Sequence, residues 1–232
     1  LLVEVGKRVG IRGASLFGQE ANWNQYALTK MNLMLNGFKD STFFWGDSLS
    51  NPKLTDDGGL KRFDIVASIP PFADKWATEE AEFDRYGRFQ YGIPPRSQAT
   101  WAYISHILAS LKPNGRAVVV VPAGVLFRTS ESKIRHQIIE HNLLETVIEL
   151  PQNLFYGAAI STAILVFRKD RKTTQTLFMD ARKGYISNKG IYKLSDTMVE
   201  QLLNTYKGFL SGEQVWQENS CPAYIATHYR IK

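Results

Sequence analysis

The 232-residue chain is 44% hydrophobic, enough for one α/β domain with a short appendage, and its 28 Lys+Arg against 22 Asp+Glu leave a formal charge of +6. That mild basic excess suits a polyanionic partner without requiring one. The single cysteine, Cys221, excludes an intramolecular disulfide and a cysteine-rich zinc site; with no apolar run long enough to cross a membrane, the expected setting is the cytoplasm.

In chain order, β-rich runs at 15–18, 42–45, 63–67, 116–121, 145–150 and 161–168 predict six strands. Apolar residues at helical spacing predict helices over 22–36, 98–111 and 131–140. The order β-α-β-β-α-β-α-β-β, without internal repeats, predicts a doubly wound, mostly parallel α/β sheet. The run 117–121 is nearly all valine, as expected of a strand covered by helices on both faces, and residues 112–115 before it read as a helix-to-strand turn. Residues 73–96 mix charges, aromatics and prolines without a period and read as a long functional loop. Past Asp180 the pattern weakens: 193–209 reads as helix and 221–232 as extended or unstructured, so 181–232 is expected to be an appendage to a domain over 1–180. A chain opening on Leu1 rather than Met reads as a fragment or a processed product.

Three constellations can carry chemistry. Glu20 ends a predicted strand just before a helix, where a carboxylate can accept hydrogen bonds from both ribose hydroxyls of a nucleoside, or simply complement the helix dipole. Asp47 and Ser48 follow Gly46 at the end of the next strand, where the aspartate can accept from an exocyclic adenine amine or merely form a turn. Phe63–Ser68 then runs into Ile69, Pro70, Pro71 and Phe72. Two prolines fix the backbone and remove two donors, so carbonyls there can be aimed rigidly, and Phe72 offers a stacking face; a strand-ending turn with a core Phe is the plainer alternative. The four histidines show no metal-ligand spacing, and no Gly-x-Ser-x-Gly supports a hydrolase.

The order Gly-Gln-Glu, Gly-Asp-Ser-Leu and Phe-Asp-Ile-Val-x-x-x-Pro-Pro-Phe resembles the amino-methyltransferases. Four further segments, at 89–97, 111–116, 121–128 and 150–157, narrow the resemblance to the modification subunits of type I restriction-modification systems, over about residues 10–210. The resemblance implies a Rossmann-like S-adenosylmethionine-dependent fold and adenine-N6 methylation of double-stranded DNA. It also implies partnership with specificity and restriction subunits and with a second modification subunit. A target adenine would be flipped out and stacked on Phe72, while hydrogen-bond acceptors at the Asn-Pro-Pro-aromatic motif free the N6 lone pair for attack on the sulfonium methyl. Glu20 would hold the cofactor ribose, and Asp47 with Ser48 its adenine. For DNA, the first candidates are Lys75, Arg85, Arg88 and Arg96, interleaved with Trp76, Phe83, Tyr86 and Tyr91.

Two departures qualify the resemblance. The motif asparagine should stand at position 69, where this chain has Ile69, a side chain without an acceptor. Ser68 is no substitute, because adjacent side chains of an extended segment point to opposite sides. Losing one such transition-state hydrogen bond costs roughly a hundred- to a thousand-fold in rate. The family's Gly-rich loop, Asp-Pro-x-x-Gly-x-Gly, and the strand before it are expected ahead of residue 1. Without that strand the sheet is expected to carry two unpaired inner edges, to borrow a strand, or to rearrange. Two alternatives stay open: methylation of a protein or RNA amine, and a catalytically inactive remnant that binds DNA or a partner subunit.

Overall fold

The computed structural model describes residues 1–10, 15–155, 160–188, 191–212, 221–228 and 231. Its elements run α1 (Leu2–Val9), β1 (Phe17–Glu20), α2 (Trp23–Leu35), β2 (Thr42–Trp45), β3 (Thr55–Asp56), β4 (Gly59–Leu60) and β5 (Phe63–Ser68). There follow α3 (Glu79–Glu82), α4 (Thr100–Ala109), β6 (Leu111–Pro122), α5 (Ser132–Glu140), β7 (Leu144–Glu149) and β8 (Thr162–Arg168). The chain continues through β9 (Gln175–Asp180), β10 (Tyr185–Asn188), β11 (Ile191–Leu194), α6 (Asp196–Ser211) and β12 (Ala223–Thr227).

The main sheet has six strands in the order β12-β9-β7-β8-β6-β5. Parallel pairing of β5 with β6 and of β7 with β9, and antiparallel pairing of β8 and β12 with their neighbours, leave four of the six strands running one way. The mostly parallel α/β sheet expected from the sequence is therefore present. On one face α4 and α5 bury Trp101, Ile104, Leu108, Ile134 and Ile138 against Val119, Val121, Leu165 and Phe167 of the sheet. Each fully buried side chain of this size contributes about 1.5–3 kcal/mol. On the other face α6 packs Leu202 and Met198 against Leu177 and Met179. The Tyr206 hydroxyl donates to the buried carboxylate of Glu145 at 2.6 Å, tying α6 to β7.

Both faces are thus used, but not everywhere. Over β5 and β6 the second face is open, with Ile65 56% and Val118 39% exposed, so the valine run is covered on one side only among the described residues. The turn expected at 112–115 is absorbed into β6 as a bulge: β5 advances from Phe63 to Ile65 while β6 advances from Leu111 to Arg116. Gly115 is needed there, because a Cβ would stand 2.9 Å from the Phe63 carbonyl oxygen.

β1 and β2 form a separate two-stranded parallel sheet, packed with α1 and α2 around Leu16, Leu33 and Phe38. Gly18 is fixed by close approach, since a Cβ would sit 2.2 Å from the Phe43 ring. The Phe17 and Phe63 rings lie 5.4 Å apart, so β1 and β5 begin side by side, yet neither pairs with the other. The sheet has therefore not rearranged to close, and β1 and β5 each keep one unpaired edge among the described residues.

Other expectations are refined. The first strand lies two residues later than 15–18, and the helix expected at 193–209 runs from Asp196 behind a Ser195 cap whose side chain accepts from the Met198 N–H. β9 and the β10–β11 hairpin were not expected, while β12 falls inside the extended tail; residues 229, 230 and 232 of that tail lie outside the described residues. Residues 73–96 are no structureless loop. They carry α3 and a small core in which Trp76 stacks on Phe89 at 5.0 Å and packs with Leu49 and Ala102.

Candidate active site

The carboxyl ends of β1, β2, β5, β6 and β7 share one edge of the molecule, the edge at which α/β sheets bind ligands. At the end of β1, Glu20 accepts the Asn22 N–H through Oε1 at 2.8 Å, and the Asn22 side chain caps α2 through the Gln25 N–H at 3.1 Å. Gln19 beside it donates to the Asn51 carbonyl and accepts the Lys53 N–H, both at 2.9 Å, which ties the 47–53 segment to β1. Asp47 accepts the Leu49 N–H through Oδ1 and the Ser50 hydroxyl through Oδ2, each at 2.9 Å, so its carboxylate builds the turn in which half-buried Ser48 sits.

Glu20 and Asp47 meet electrostatically at Tyr103 of α4. Burial, then the negative charges of Asp47, Asp74 and Glu20, push the Tyr103 hydroxyl up to about 12. Tyr103 and Asp74 were not singled out from the sequence; only the fold brings residues so far apart in the chain around one hydroxyl. Three carboxylates grouped at a sheet edge form an environment for a cation.

Next along the edge, Ser68 ends β5, Ile69 is 45% exposed, Pro70 is buried, Pro71 is exposed and Phe72 is half-buried. Phe72 meets Phe155 edge to face, with centroids 5.5 Å apart and planes at 88°. Phe155 reaches it from the 150–155 segment after β7, giving the Pro-Pro-Phe turn a second aromatic. Tyr156 and Gly157 of the segment quoted above lie outside the described residues.

The four basic candidates divide. Lys75 and Arg85 are exposed, as is Arg96, whose nearest carboxylate, Glu79, stands 3.9 Å away. Arg88 is instead 3% exposed, with Nε 2.7 Å from Asp84 Oδ1 and Nη1 donating to the carbonyls of Leu49 at 2.7 Å and Ser48 at 3.5 Å. A guanidinium so committed and buried does not face a phosphate; Arg88 positions the 47–49 turn. Trp76 and Tyr91 belong to the core, whereas Phe83 is 84% exposed.

A mostly parallel six-stranded α/β sheet with a Pro-Pro-aromatic turn at its carboxyl edge, flanked by a two-stranded parallel unit whose carboxyl ends carry Glu20 and Asp47, is the architecture of Rossmann-like methyltransferases. The whole-chain comparison agrees. The family model for N-6 DNA Methylase matches residues 1–228, and the chain belongs to that family. The chain is 32% identical over 210 residues to the type I restriction enzyme MjaVIII methylase subunit of Methanocaldococcus jannaschii, covering 84% of this chain and 36% of that protein. The crystal structure of the type I restriction-modification methyltransferase subunit from Streptococcus thermophilus superposes with a TM-score of 0.84 at 31% identity, over 94% of this chain and 46% of that one. A protein from Listeria monocytogenes, described as a class I S-adenosylmethionine-dependent methyltransferase, shares the fold at a TM-score of 0.60 and 21% identity, over 77% of this chain and 53% of that one. The chain thus spans less than half the length of the two type I relatives.

Proposed function

We propose that this chain carries the catalytic edge of a type I modification subunit, a DNA adenine-N6 methyltransferase weakened by Ile69. The observation that carries the reading is the meeting of Phe72 and Phe155 beside the Pro-Pro turn, on the edge that also holds Glu20, Asp47 and Asp74. A flipped base needs an aromatic face to stack on, since extrusion costs a few kcal/mol of stacking that the pocket must return. The perpendicular rings offer one such face beside an edge-to-face neighbour.

The acidic set fits S-adenosylmethionine, whose sulfonium and ammonium are cationic and whose ribose supplies hydroxyl donors. Glu20 retains one carboxylate oxygen beyond its bond to Asn22, and Asp47 retains lone pairs beyond its turn contacts. The bound cofactor supplies the electrophilic methyl; the protein's task is to place the adenine N6 in line and accept its amine hydrogens. The carbonyl of rigid Pro70 is available for one acceptor role, whereas Ile69 offers only an aliphatic chain at the other. An additional parallel strand between β1 and β5 would satisfy both free edges. Specificity and restriction subunits, a second modification subunit, duplex DNA and a cytoplasmic setting complete the proposal. No helix among the described residues is long and apolar enough to cross a membrane.

Titration of S-adenosylmethionine by calorimetry tests it, with Glu20→Ala and Asp47→Ala as controls. Saturable binding lost in both variants is the expected result; no binding by folded protein would contradict it. Exposed Ile69 also favours a second reading, a DNA- or partner-binding remnant without methyl transfer, which predicts DNA binding unchanged by Ile69→Asn and no turnover in either form.

A further inference from the structure

The segment that follows β6 leaves the sheet on the edge that carries the Pro-Pro-Phe turn. β5 and β6 run parallel with Ser68 opposite Val119, so residues 69–72 and 123–128 emerge at the same end of neighbouring strands. The second of these segments opens two 3-10 turns, Ala123–Leu126 and Thr129–Glu131, which lead into α5. Between the turns stands Phe127, 73% exposed.

That exposure is built into the local frame. Fully buried Val125 takes the inward place, and Leu126 packs against the same core. The Phe127 and Arg128 N–H groups both donate to the Gly124 carbonyl, at 3.2 and 3.0 Å. Arg135 Nη1 donates to the carbonyls of Val125 at 3.2 Å and Arg128 at 2.7 Å, which clamps the chain on both sides of the ring. Turning Phe127 toward the core would break these bonds.

The surroundings of the ring indicate the class of partner. Glu131 is the one carboxylate between residues 123 and 135, and it is fully buried, 3.6 Å from Arg128 Nη1. A Cβ at Gly124 would stand 2.9 Å from Arg128 Nη2, so the guanidinium lies across the glycine. Outward face Thr129, Ser130, Ser132 and Lys133, all exposed, with Arg128 half-buried. Hydroxyls and cations, with the negative charge turned inward, are the groups that contact a sugar–phosphate backbone. An apolar protein partner would call for further exposed apolar side chains around the ring, and between residues 123 and 135 Phe127 is the only large one.

Extruding a base leaves a hole in the stack, and proteins that open DNA steps do so with apolar wedges such as phenylalanine. We propose that Phe127 enters the base stack of duplex DNA as a wedge, with Arg128 and Lys133 on the flanking phosphates. The inference rests on the DNA-methyltransferase reading above: Phe72 receives the base, and Phe127 occupies the stack it leaves.

The test is anisotropy of a fluorescein-labelled duplex titrated with this chain over a salt series, the duplex being fully paired or carrying one abasic site. A ready-made gap spares the cost of opening the step, and an aromatic stacked on a base is worth about 5- to 150-fold in affinity. The unmodified chain is expected to bind the abasic duplex tighter by a factor in that range. Phe127→Ala should lose the preference, and Phe127→Trp should keep it. Lys133→Ala should lower the salt slope by about 0.9, one phosphate's worth, and leave the preference unchanged. A folded Phe127→Ala variant that kept the preference, or an unmodified chain that bound both duplexes alike, would overturn the wedge and leave the methyltransferase reading standing. An unchanged slope in Lys133→Ala would overturn the phosphate seat, and with it DNA as the partner of this turn. An unmodified chain that bound neither duplex at any salt would overturn both readings.

Discussion

Replacing Arg88 with alanine separates two roles for one residue, because as a phosphate contact it would matter to DNA and as a buried strut it matters to the fold. Its side chain and that of Asp84 are 3% and 5% exposed, and their ion pair measures 2.7 Å. Removing the cation strands a buried carboxylate and frees the Leu49 carbonyl that Nη1 holds at 2.7 Å. Breaking one side of such a pair costs about 3–5 kcal/mol. In a domain of this size each kcal/mol moves Tm by about 2–4 °C, so a fall of roughly 6–20 °C is expected. Arg85, which is exposed, serves as the comparison, and its alanine variant should lie within about 0.5 kcal/mol of the unmodified chain. Replacing both partners, Arg88→Met with Asp84→Leu, should restore part of the loss, since an apolar pair leaves no unpaired charge although the Leu49 carbonyl and the Arg88 N–H still lack their partners. Urea and thermal unfolding followed by circular dichroism read all four proteins. If Arg88→Ala melted with Arg85→Ala while losing salt-dependent DNA affinity, the positioning role would be refuted and the surface role restored.

Gly18→Ala should destabilise the β1–β2 unit by about 1–3 kcal/mol, because its Cβ would overlap the Phe43 ring; urea unfolding checks it. His106 is held down to about 4 by burial and then by the positive charge of Arg88. Its unfolded form binds the proton more readily, so its contribution is full above about pH 6.5 and fades as pH falls through 4, by about 3 kcal/mol in all. A stability–pH series should show that acid limb, and His106→Leu should flatten it. Tyr206→Phe removes the 2.6 Å bond to buried Glu145, which keeps the longer contact with Arg168 at 3.5 Å. The expected loss is about 1–3 kcal/mol in urea unfolding.

How much of this was legible in the sequence depended on the range of the interactions involved. The strands at 42–45 and 116–121 announce themselves by local composition and the helix at 22–36 by apolar periodicity, while the structure adds that Asn22 stands before the helix as its cap. β9 was missed because its pairing with β12 joins Thr176 to Ala226, a register no local pattern reveals. The convergence of Glu20, Asp47 and Asp74 on Tyr103 is long-range for the same reason. Arg88 was misread although its signal was local. An aspartate four residues earlier, in a segment rich in aromatics, is the spacing of an internal ion pair, and weighing Asp84 against Arg88 would have turned that guanidinium inward. Phe155 stood in a quoted segment without a role, because only the fold brings it to Phe72.

We propose that this edge performs adenine-N6 methylation and that Ile69 holds it back. The most direct measurement is transfer of tritiated methyl from S-adenosylmethionine to duplex DNA by the unmodified chain and by Ile69→Asn. Restoring an acceptor at position 69 is expected to raise the rate about a hundred- to a thousand-fold. An Ile69→Asn variant that folds and binds cofactor and DNA as before, yet transfers methyl no faster, would contradict the claim.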